Sequence, residues 1–169
     1  MAMADLLTVS VMRNDLEYQL SISWNDTAFA DGSIEFGISA KVRSDGGIWR
    51  DLAEATIAVR QIDGRAMLVI ELPGFAQEFP LEDLHDELAV LDAIPGWVFG
   101  NGDPITGCLI RAGISASVGQ IIACKNATLD HEWYWDKTRA IGRCLRQNIP
   151  AMGAKMAYRA ARCVVSTVV

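Results

Sequence analysis

The chain has 169 residues, half of them apolar and a fifth charged, with a formal net charge of −6. A chain of this length can bury one sizeable core without a metal or disulfide staple, so a single domain over 1–169 is expected and a largely disordered chain is excluded. The opening MAMADLLTVSVM lacks the basic segment, apolar stretch and cleavage site of a secretory signal, and the expected location is therefore cytoplasmic.

Residues 1–80 read as strands. Leu7, Val9 and Val11, then Leu16, Tyr18, Leu20, Ile22 and Trp24, then Ile34, Phe36, Ile38, Ala40 and Val42 alternate with polar neighbours, the period of a strand with one buried face. Turn-forming residues separate these runs at 13–15, 31–32, 44–47 and 63–64. With no helical segment between the runs, the arrangement predicted is an antiparallel meander of about five or six strands.

Beyond residue 80 the period becomes helical. Leu81, Leu84, Leu88 and Leu91 step by three and four, with Glu82, Asp83, Asp86 and Glu87 on the opposite side and Pro80 at the start. Three further helices are expected near 104–124, 131–147 and 150–163. The residues leave open whether 107–122 is one helix or two short strands, because glycines and isoleucines mix there. The tail VVSTVV has strand propensity and is expected to return to the sheet edge or fray. The fold class is thus α+β: a strand-rich part (1–80) and a helix-rich part (81–169) of one domain, the helices packed on one sheet face.

The apolar run Ile105 to Cys124 is as long as a bilayer span. Arg111 near its middle would cost about 2.5–3.5 kcal/mol there, so a buried core helix is expected and no membrane partner.

Motifs for chemistry are sparse. The glycine-rich VFGNGDPITGC lacks the lysine of a phosphate loop and the spacing of a dinucleotide fingerprint. Asp103 as N-cap with Pro104 at the first helical position accounts for it. Cys108, Cys124, Cys144 and Cys163 contain no CxxC pair and read as inert thiols. A nucleophilic Cys108 would need a base, for which His131 is the candidate, and this pair defines a thiol-enzyme alternative. His85 has Leu81 and Ala89 at helical spacing, so no second metal ligand stands beside it. No catalytic residue, metal ligand or cofactor is assigned. The run Asp130 to Asp136, with Trp133, Tyr134 and Trp135, is the densest polar and aromatic cluster.

The net charge hides a division. Residues 1–104 carry 6 basic and 18 acidic side chains, whereas 105–169 carry 9 basic and 3 acidic. The expectation drawn from this is a small binding protein, of inhibitor or immunity type, whose acidic part meets a basic protein partner such as a toxin or nuclease. Glu82, Asp83, Asp86 and Glu87 would supply the carboxylates and Trp49 an anchor. The alternative is a nucleic-acid or phospholigand binder that uses two basic stripes at helical spacing, Arg139, Arg143 and Arg146, and Lys155, Arg159 and Arg162. Oligomeric state is not legible in the chain.

Overall fold

The computed structural model describes residues 5–25, 34–99, 104–127 and 134–166. Six strands, β1 (Asp5–Arg13), β2 (Leu16–Trp24), β3 (Ile34–Ser44), β4 (Arg50–Ile62), β5 (Arg65–Leu72) and β6 (Phe75–Pro80), form one antiparallel sheet in chain order. Four α-helices follow: α1 (Glu87–Ala93), α2 (Pro104–Ala127), α3 (Tyr134–Gln147) and α4 (Ile149–Ser166). The α+β arrangement expected from the two periodicities is therefore the observed one, with 107–122 inside a single helix.

The tight connections show why the meander closes where it does. Asp63 and Gly64 both take positive φ (52° and 79°), the combination a two-residue I′ hairpin requires. Pro73 and Gly74 join β5 to β6, with Gly74 at φ 77° after a proline, which is type II turn chemistry. The predicted turn at 31–32 and the Asp103 cap lie outside the described residues.

Period two sends one set of side chains beneath the helices. Leu20, Ile22, Phe36, Ile38, Ile57, Leu68 and Ile70 are all essentially inaccessible. Burying each such side chain contributes about 1.5–3 kcal/mol, so this layer dominates the favourable side of folding. Helix α2 lies across β2, β3 and β4, and α4 packs on α2 and β1. At the crossing point α2 carries Gly113, where a Cβ would stand only 2.7 Å from Cγ2 of Ile38. The missing side chain lets the helix descend onto the sheet. The long apolar helix is thus core, with Leu109, Ile110, Ile114 and Val118 inaccessible.

Two expectations about the helical half are corrected. The leucine period from 81 does not make one helix: a 3-10 turn spans Leu81–Asp83, and α1 begins only after Asp86, whose side chain accepts from the Leu88 amide at 3.0 Å. Lys125, buried at 3% exposure, donates to the carbonyls of Leu81 and Leu84, oxygens that a continuous helix would have used internally. As a consequence Leu88 is exposed while Val90, Leu91 and Ile94 are buried. The tail differs in its first half: Val164, Val165 and Ser166 continue α4 instead of joining the sheet, and 167–169 lie outside the described residues.

The four cysteines are not free thiols. Cys108 bonds Cys163, and Cys124 bonds Cys144, with Cα–Cα separations of 5.6 Å in both. The first bond ties the start of α2 to the end of α4, the second ties the end of α2 to α3. Linear spacing hides this, because the partners face each other only once the helices pack.

Candidate functional site

The alternation that buries one face of the sheet leaves the other uncovered by the helices. On it the register aligns Ser23 with Gly37, Gly37 with Thr56, and Thr56 with Glu71 across four strands. Gly37 sits between two hydroxyl residues, and a Cβ there would stand 2.8 Å from Oγ of Ser23. The Ser23 hydroxyl instead donates to the Gly37 carbonyl at 3.3 Å. This row borders a hollow of about 540 Å³ that Ser39, Glu54 and Thr56 also line. Glu54 is exposed; Glu71 accepts from Arg60 at 3.0 Å, and Arg60 also reaches Glu35 at 3.6 Å. The surface is therefore small, hydroxylated and acid-rimmed.

Toward the β3–β4 turn the same face becomes apolar. Arg43 bonds Glu17 at 2.7 Å and lies 4.4 Å over the Trp49 ring, which fixes the tryptophan against the sheet. Ile48 beside it is 90% exposed, and Met12, opposite Glu17 in the register, is 59% exposed. Large apolar side chains left in water next to a held aromatic are typical of a contact surface.

The acidic residues singled out in the sequence do not form one patch. Glu82 and Asp83 are exposed on the 3-10 turn and pair with Arg65 at 2.9 and 3.7 Å. Asp86 is spent on the α1 N-cap. Glu87 turns inward: its side chain is 11% exposed, accepts from Ser115 at 2.7 Å and Arg159 at 2.8 Å, and bonds Lys155. Gly119 makes room for that carboxylate, since a Cβ there would collide with Glu87 and Lys155. Trp49 lies far from Glu82 along the sheet, because it precedes β4 whereas Arg65, the partner of Glu82, follows it.

The basic stripes also part company. Arg139, Arg143 and Arg146 are exposed on α3, whereas Lys155 and Arg159 on α4 turn toward Glu87. Arg162 stays exposed beside Tyr158. Between α1, α2 and α4 a second hollow of about 370 Å³ is bordered by Arg111, Ser115, Arg159 and Arg162, with the Cys108–Cys163 disulfide in its wall. Sequence reasoning used Arg111 only to argue against a membrane span. The available signal was spacing: Cys108, Arg111, Ala112 and Ser115 fall on one stripe of a helix.

The thiol alternative loses its nucleophile, since the sulfur of Cys108 is bonded to Cys163. His131 and Asp130 to Trp133 lie outside the described residues, as do the side chains of 134–136. Among the described residues no group of three or more histidine, cysteine or acidic side chains is placed to hold a metal ion. No buried side-chain nitrogen or oxygen among them lacks a hydrogen-bond partner. No protein-family model, curated protein or solved structure matches this chain.

Proposed function

We propose that this protein is a binding protein whose uncovered sheet face docks a segment of a basic protein partner. The observation that carries the reading is the hollow around Gly37, bordered by hydroxyls and by the carboxylates of Glu54 and Glu71, on the face opposite the helices. Hydroxyls and carboxylates together accept hydrogen bonds from lysine and arginine side chains, and the cationic head would meet negative charge at the rim. Trp49 and Ile48 would add an apolar contact at one end, the arrangement in which a few anchors carry most of the binding energy. An inhibitor or immunity-type role fits a surface of this kind, with the contact moved from the Glu82–Glu87 segment to the sheet.

The test is amide chemical-shift mapping of the labelled protein with an oligo-arginine peptide as probe. Shifts concentrated at Ser23, Gly37, Ser39 and Thr56 are expected. Shifts confined to Glu82, Asp83 and Asp92 would place the contact elsewhere and defeat the reading.

A further inference from the structure

The helical side of the molecule carries a second site of opposite charge, independent of the sheet face. Helices α2 and α4 run antiparallel, as the Cys108–Cys163 bond and the Ser115–Glu87–Arg159 cluster require, and the hollow of about 370 Å³ lies in the groove between them. Three guanidinium groups border it. Arg111 is fixed from behind, with Nη1 and Nη2 each 3.2 Å from the carbonyls of Leu91 and Ile94 at the end of α1. Arg159 is held by Glu87 at 2.8 Å. Arg162 meets only the neutral Tyr158 among the described residues, its Nη1 3.4 Å from the hydroxyl and its Cζ 5.7 Å from the ring centre.

Glu87 is shared between Lys155 and Arg159. Among the described residues no carboxylate pairs with Arg162, whose guanidinium borders the hollow together with those of Arg111 and Arg159. Leu91, Ala112 and the disulfide make the apolar part of the wall, with Ser115 beside them. Cation at the mouth and apolar wall behind it are complementary to a small anion with an apolar body.

We infer that this groove binds a small organic anion, a phosphate monoester or a carboxylate, with the anionic head on Arg162 and Arg111 and the apolar body against Leu91 and the disulfide. Tyr158, 64% exposed, also lines the hollow and would stack on the ligand. The site uses only Arg159 and Arg162 of the helical stripes read from the sequence, and adds Arg111 from α2.

The experiment is calorimetric titration of the disulfide-intact protein with phenyl phosphate, with inorganic phosphate run alongside. Saturable one-to-one binding of phenyl phosphate is expected, tighter than that of inorganic phosphate. Arg162→Gln should weaken it about tenfold, the scale of one charge-assisted hydrogen bond, while Arg143→Gln on exposed α3 should leave it unchanged. Because Arg162 is exposed, its replacement should not alter the melting curve, and that measurement separates lost binding from lost folding. Equal weakening by both substitutions, or no saturation, would reduce the effect to general Coulomb attraction and overturn the proposal. Inorganic phosphate binding as tightly as phenyl phosphate would overturn the apolar part of the site.

Discussion

Opening the inner disulfide is the perturbation with the most calculable outcome. Cys124 and Cys144 close a loop of 20 residues, and Cys108 and Cys163 close one of 55 around it. Chain-entropy reasoning assigns about 3 kcal/mol to a loop of the smaller size and about 4 kcal/mol to the larger. The two are nested, so closing the inner one shortens the outer, and their sum overstates the joint effect. Replacing both inner cysteines by serine should therefore lower the unfolding free energy by about 3 kcal/mol, with the fold kept by the sheet and the α2–α4 contact. Urea titration followed by far-ultraviolet circular dichroism reads this as a midpoint lowered by about 1–2 M at an ordinary slope. A thiol assay on the untreated protein should find no reactive cysteine before unfolding or after it. Four reactive thiols, or coincident urea curves for the wild type and the serine variant, would refute the stapled account of the helical layer.

Four further outcomes follow from packing and charge. Gly113→Ala would bring a methyl group to 2.7 Å from Ile38, and overpacking of this kind should cost about 1–3 kcal/mol in thermal unfolding. Phe36→Ala, at a fully buried position in the middle of the sheet, should cost about 3–5 kcal/mol by the same assay. Glu87→Gln would leave Lys155 and Arg159 without their carboxylate; both are more than a third exposed and solvent relieves part of the loss, so about 1–2 kcal/mol is expected. Glu82→Gln on the exposed turn should change stability by less than about 0.5 kcal/mol, which makes it the matched control for Glu87.

The sheet was readable because its signal is local. Alternation in β2 and β3 is nearly unbroken, and each turn carries residues that suit its backbone, so pattern and geometry agree along the chain. The start of the helical half was harder. The Leu81, Leu84, Leu88, Leu91 series mimics one helix, yet Lys125, more than 40 residues away, takes the carbonyls that would extend it. That shift of origin rotates Glu87 from a solvated face into contact with α4. A tertiary contact thus overrode a local period.

The candidate surfaces were legible only in part. The acid–base division between the halves is visible in the composition, but it does not follow the layers of the fold at α1, where Glu87 sits among the basic side chains of α4. Neither hollow could be read, because each combines residues from distant segments: Gly37 with Thr56 and Glu71 on the sheet, Arg111 with Arg159 and Arg162 on the helices. The disulfides were missed for the same reason: each joins a cysteine of α2 to one on a different helix, so no bonded pair lies close in sequence.

The uncovered sheet face as a recognition surface for cations is tested most directly by titrating an oligo-arginine peptide, at low and moderate salt, into the wild type and two charge-reversed proteins. Glu54→Lys/Glu71→Lys should weaken binding at least about tenfold, while Glu82→Lys/Asp83→Lys, equal in charge change but remote from the hollow, should weaken it far less. Equal loss in the two variants would show attraction to net charge alone, and the assignment of the sheet face would be wrong.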